Sequence, residues 1–145
     1  MKTLNKKGFT LIELLAVIVV LGIVMVIGTT TVLPLLEKSQ KNAFATEANS
    51  AIESASNSVS LISLGEYEDP YYEITTNGTV TGYCFTLEQL RNVGFWKKND
   101  ITGYEGSVTV TKSGNIYTYS VTMHNANYKI VSATRVNVDS VGDYA

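Results

Sequence analysis

Lys6-Lys7-Gly8-Phe9-Thr10-Leu11-Ile12-Glu13-Leu14-Leu15 runs without a break into an apolar segment that ends near Leu36. No charged side chain occurs between Leu14 and Leu36. At a helical rise of about 1.5 Å per residue this stretch spans roughly 35 Å, enough to cross the ~30 Å hydrocarbon layer of a bilayer. Val and Ile crowd the segment and are mediocre helix formers in water, but lipid offers no partner to an unpaired backbone group and so imposes the helix. The stretch therefore predicts a membrane-spanning helix preceded by a short basic leader.

Glu13 stands about one turn inside the start of that segment. A carboxylate at the centre of a membrane helix costs roughly 2.5–3.5 kcal/mol on insertion scales, and the nearby interface lowers that cost. Thr10 and Glu13 also have the Thr-x-x-Glu spacing of a capping box, in which each side chain bonds the backbone N–H of the other at a helix N-terminus.

The order Gly8-Phe9-Thr10-Leu11-Ile12-Glu13, after two lysines and before a long apolar helix, resembles the class III signal of type IV pilins and pseudopilins. The resemblance implies a membrane peptidase that cuts between Gly8 and Phe9 on the cytoplasmic side and methylates the new Phe9 amine. It also implies an assembly role for Glu13, the family's glutamate at the fifth mature position. A carboxylate buried among packed apolar helices needs a cationic partner, because an unpaired buried charge costs several kcal/mol. The freed amine of Phe9 in a neighbouring copy is a cation at the right depth, so Glu13 would set the register between subunits.

The full chain has 145 residues, 11 basic and 13 acidic side chains. That length holds one anchor and one modest domain. Loss of the leader removes Lys2, Lys6 and Lys7, which leaves 8 basic against 13 acidic groups and a formal charge of −5. Such a balance argues against nucleic-acid binding on charge grounds. The leader lysines keep the N-terminus cytoplasmic by the positive-inside rule, with the bulk of the chain exported. Gly28-Thr29-Thr30-Thr31 is a poor match to the small-residue site of a conventional secretory signal. Cys84 is the single cysteine, so no internal disulfide forms, unlike many Gram-negative pilins. Its place between Tyr83 and Phe85 suggests a small core residue.

Beyond the anchor, Phe44, Ala48, Ile52 with Ala51, Ala55, Val59 and Ile62 recur at helical spacing, with Asn42, Thr46, Asn49, Glu53 and Asn57 on the opposite side. One helix from Thr10 to Leu64 is expected, ended by Gly65. Gly22, Gly28 and Pro34 weaken it, and a bend or local unwinding between Gly22 and Pro34 is expected. Glu66 to Tyr72 reads as an acidic and aromatic loop, a subunit contact or receptor-facing surface being the alternatives to a solvated one. Tyr72–Thr75 and Thr79–Phe85 flank Asn77-Gly78, the pair favoured by type I′ hairpins. Thr86-Leu87-Glu88-Gln89 opens a short helix with a capping box, closed by Gly94, and Phe95 and Trp96 follow as packing residues. Ser107–Lys112, Ile116–His124 and Tyr128–Val138 alternate as a three-stranded antiparallel meander, with a tail from Asp139 to Ala145. The expected fold is a pilin-like α+β arrangement, a long N-terminal helix on a small antiparallel sheet. Its parts are a leader (1–8), an anchor or filament-core helix (9–36), an amphipathic half (37–64) and a globular head (65–145).

No reaction chemistry is legible. His124 is the single histidine, with no Cys or carboxylate at ligand spacing, and there is no phosphate loop, calcium loop or catalytic triad. Lys97-Lys98 is too short for a basic patch. The sequence implies no enzyme, no metal and no cofactor. The resemblance implies a pilus subunit, its partners being other copies of the chain, minor pilins, the prepilin peptidase and methylase, an assembly platform in the membrane, and lipid before assembly. Its filament would serve adhesion, motility, biofilm formation or DNA uptake on the bacterial surface. A pseudopilin of a secretion or competence system and a solitary membrane-anchored binding protein are the rival readings.

Overall fold

The computed structural model describes residues 8–68, 70–93, 96 and 103–144. Its first element is a helix, α1, over Leu11–Leu64. The chain divides into two compact units between Ser39 and Gln40. In the first unit α1 stays helical through Gly22, Gly28 and Pro34, so no unwinding interrupts it in the isolated chain.

In the second unit α1 ends as its sequence dictates. Gly65 adopts φ 73, its N–H donates to Ile62 O at 3.1 Å, and Glu66 N–H donates to Leu61 O at 3.0 Å. This pair of bonds satisfies carbonyls that the last turn would otherwise leave bare, and the left-handed residue that makes them costs a glycine little.

The head carries six antiparallel strands in sequence order, β1 (Tyr72–Thr76), β2 (Thr79–Thr86), β3 (Glu105–Ser113), β4 (Ile116–His124), β5 (Tyr128–Ala133) and β6 (Gly142–Asp143). Asn77 and Gly78 turn the first hairpin with φ 52 and 79, both positive as a type I′ turn requires. A short helix, α2 (Leu87–Asn92), follows β2; Thr86 caps it and Gln89 reaches back to the Thr86 N–H. Gly94, Phe95 and Lys97-Lys98 lie outside the described residues. Trp96 is buried in the core.

The expected hairpin and three-stranded meander are not separate pieces but parts of one six-stranded sheet. The β1–β2 hairpin docks onto β3, with Tyr83 opposite Val110 and Phe85 opposite Val108. The last expected strand stops at Ala133, where Ser132 takes φ 49 and the register with β4 shifts. A left-handed, non-glycine residue breaks the ladder there. The chain then makes a short 3-10 turn over Val138–Ser140 before β6, and Val141 is buried, so this segment is part of the fold and not a tail.

One face of the sheet meets the second half of α1. Phe85, Val108, Val110, Val121 and Met123 are fully buried against Ala48, Ala51 and Ala55. Ser54 and Ser58 are buried as well, while Ile52 and Ile62 are only partly so. Small residues therefore make up the middle of this contact, between the larger buried Phe44 and Val59 at its two ends. Tyr67 and Tyr71 pack edge-on to each other, with ring centroids 5.4 Å apart, and lie against the core. That corrects the reading of a wholly solvated loop.

Cys84 is corrected too. Side chains alternate along β2, so with Tyr83 and Phe85 inward Cys84 must face outward, and it is half exposed opposite Thr109.

Candidate functional site: the N-terminal segment

Gly8, Phe9 and Thr10 precede α1 without regular structure and are exposed, Phe9 to 86%. A side chain placed on Gly8 would meet nothing within 4 Å, so the fold itself does not demand glycine there. The helix starts on the expected capping box. Glu13 Oε2 accepts from Thr10 N–H at 2.8 Å and from Thr10 Oγ1 at 2.9 Å, and Glu13 N–H donates to Thr10 Oγ1 at 3.3 Å. The acidic group also sits in the first turn, where the positive end of the helix dipole favours it. Within one chain, then, Glu13 is engaged with its own helix start, and Phe9 lies just before that cap.

From Leu11 to Leu36 the large apolar side chains point outward on every side, each between 52 and 86% exposed. By length and composition α1 can cross a membrane, and none of its most apolar window is buried in the chain. The three hydroxyls inside it are satisfied locally. Thr29 Oγ1 donates to Met25 O at 3.2 Å or Val26 O at 3.1 Å, Thr30 Oγ1 to Ile27 O at 3.0 Å, and Thr31 Oγ1 to Ile27 O at 3.1 Å or Gly28 O at 3.3 Å. Such back-bonding lets polar side chains enter lipid without a bare donor, and it loosens the helix slightly. Pro34 follows and has no N–H to give the Thr30 carbonyl. The weak features named from the sequence thus cluster over 28–34, with Gly22 two turns before.

Elsewhere the chemistry is sparse. The His124 ring stacks on Tyr144 at 4.7 Å, and its Nε2 lies 3.7 Å from Glu105 Oε2. Among the described residues no group of three His, Cys, Asp or Glu side chains is placed to hold a metal. Sequence reasoning misses the clasp at the C-terminus. Lys41 Nζ pairs with Asp143 Oδ1 at 3.2 Å and lies over the Tyr128 ring, and Tyr144 N–H donates to Asn127 O at 2.8 Å. No periodic signal in the last seven residues points to it.

A long helix whose second half packs on an antiparallel sheet, with an outward-facing apolar first half, defines a pilin-like α+β protein. Residues 3–29 match the family model described as the prokaryotic N-terminal methylation motif. The match supports a class III signal at a type IV pilin-like N-terminus and, with the apolar helix, a membrane-anchored precursor of the pilin or pseudopilin type. No curated protein and no solved structure matches the chain.

Proposed function

We propose that this chain is a structural subunit, made in many copies, of a type IV pilus. Residues 1–8 are the leader. The peptidase cuts the Gly8–Phe9 bond, the Phe9 amine is methylated, residues 9–36 hold the precursor in the membrane and then form the filament core, and 37–145 supply the amphipathic half-helix and head. The carrying observation is the methylation motif leading into a helix whose apolar side chains find no cover within the chain. Roughly 25 cal/mol per Å2 of such surface is recovered when lipid or other copies cover it.

Gly8 suits a peptidase requirement because no packing contact explains it. Glu13 is the assembly residue: on release from lipid its charge pairs with the Phe9 amine of a neighbour, in place of or alongside its own Thr10 cap. Gly22, Gly28 and Pro34 make 22–34 the stretch that bends or loosens when helices pack. We assign the protein no reaction of its own. Its partners are further copies, minor pilins and the assembly platform, and its final location is the cell surface.

Intact-mass measurement of protein sheared from cells tests this together with electron microscopy of the same material. The expected mass lacks Met1 to Gly8 and carries one added methyl group, and the expected images show long filaments. A chain retaining Lys6 and Lys7 ends the reading, and a processed chain found solely in short periplasmic assemblies replaces it with the pseudopilin one.

A further inference from the structure

A hollow of about 240 Å3 opens where the start of the head's half-helix meets the β4–β5 turn. Its floor and wall are aromatic. The Phe44 ring, almost wholly buried, stacks on Tyr104 with centroids 5.8 Å apart and an interplanar angle of 18°, and tilts against Tyr128 at 5.9 Å. The rim holds three side-chain amides, Gln40, Asn125 and Asn127.

Internal bonds fix what two of those amides offer. Tyr128 OH donates to Gln40 Oε1 at 2.9 Å, and Asn125 Oδ1 accepts from Asn127 N–H at 2.9 Å and Tyr128 N–H at 2.7 Å. The oxygens are used inside the protein, which leaves the NH2 groups of Gln40 and Asn125 as donors at the rim. Asn127 is exposed, and its side chain has no partner among the described residues. The turn is held further by Asn125 N–H to Tyr128 O at 2.9 Å and by Tyr144 N–H to Asn127 O. The rim is thus set before any ligand arrives, which lowers the ordering cost of binding. Among the described residues no charged side chain lines the hollow, and the nearby Lys41 ammonium is paired with Asp143.

We propose that this hollow binds a neutral sugar ring, its hydroxyl oxygens accepting from the Gln40, Asn125 and Asn127 amides and its apolar face lying on the partly exposed Tyr104 and Tyr128 rings, which the buried Phe44 supports from beneath. The chemistry matches on each count. A neutral lining favours a neutral ligand, because a charge would be desolvated without a partner. An excess of NH2 donors favours a ligand rich in acceptors, and aromatic rings favour one with a flat C–H face. The volume is below the roughly 300–1,000 Å3 of drug-sized sites, which limits the ligand to about a single ring. One such site binds in about the millimolar range, and repetition of the site on a multi-copy assembly raises the avidity. The site itself does not depend on polymerisation.

The test uses the full-length protein, 15N-labelled in detergent micelles and titrated separately with glucose, galactose, N-acetylglucosamine and, as an anion probe, acetate. The side-chain NH2 signals of Gln40, Asn125 and Asn127 should shift saturably with at least one sugar. Asn127→Ala, which keeps the backbone carbonyl that Tyr144 uses, should weaken binding about three- to tenfold, as expected when one neutral hydrogen bond is removed. Ala43→Phe, at an exposed position lining the hollow, should fill it and remove the shifts. Signals unmoved by all three sugars, saturation by acetate alone, or unchanged sugar binding in both variants would overturn the proposal.

Discussion

Glu13 has an observed capping role and a proposed assembly role, which a single alanine substitution cannot separate. Its carboxylate closes the capping box with Thr10, and a cap is worth about 0.5–2 kcal/mol at a helix start. The proposed pairing with the Phe9 amine of another copy needs its charge as well. Glutamine keeps the cap, because its amide oxygen accepts from Thr10 N–H as the carboxylate does, but it offers no ion pair. We therefore expect Glu13→Gln to leave leader cleavage intact and reduce filament yield nearly as far as Glu13→Ala, by about tenfold or more, as befits removal of one ion pair from apolar surroundings. Cleavage is read by mass and filament yield by sedimentation of sheared material. Full filament yield from the glutamine variant combined with failure of the alanine variant would reduce Glu13 to a capping residue.

The second half of α1 makes a different demand, for small volume. Ala48, Ala51 and Ala55 are fully buried where the helix lies on the sheet. Ala51→Leu adds methylenes where there is no room, and overpacking of this kind costs about 1–3 kcal/mol. The melting temperature of the head should fall by about 5 °C or more. Asn57→Leu, on the exposed side of the same helix, should leave it nearly unchanged. Equal melting of both variants would show that the helix can shift off the sheet. This small-residue stripe also marks how far the fold can be read from the chain alone. Apolar periodicity locates the helix and its buried side, and turn chemistry at Asn77-Gly78 and Gly65 locates the hairpin and the helix end. Periodicity is blind to serine, so Ser54 and Ser58 give no signal although both are buried. It is equally blind to non-local pairing. The docking of β2 on β3 and the two-residue β6 depend on partners far along the chain, and nothing in Gly142-Asp143 signals a strand. At the N-terminal site the capping box is legible because both its members lie within four residues. The amide-rimmed hollow is not, since its residues are spread from Gln40 to Tyr128.

Without an internal disulfide, the head depends on packing for its stability, and much of that packing at one edge is tyrosine. Tyr67, Tyr71, Tyr83 and Phe85 form a chain of ring contacts with centroids 5.4–6.4 Å apart. Burial raises the Tyr71 hydroxyl above its ordinary value, helped by the Glu73 charge and by the bond it donates to Glu73 Oε1 at 3.4 Å. Tyr83 is raised by burial first, then by Tyr117, Tyr71 and Glu73. These shifts have a definite sign. Below pH about 10 both tyrosines are protonated whether the head is folded or not, and the packing contribution is fully present. Above that value the unfolded chain releases protons that the folded head still holds, so stability falls as pH rises through the raised folded values. Thermal unfolding of the full-length protein, followed by near-ultraviolet circular dichroism between about pH 9 and pH 11.5, should show a declining midpoint, and Tyr83→Phe should flatten the decline because a phenyl ring has no proton to lose. A midpoint that falls equally steeply in wild type and Tyr83→Phe would show that the alkaline weakness does not originate at the Tyr83 hydroxyl.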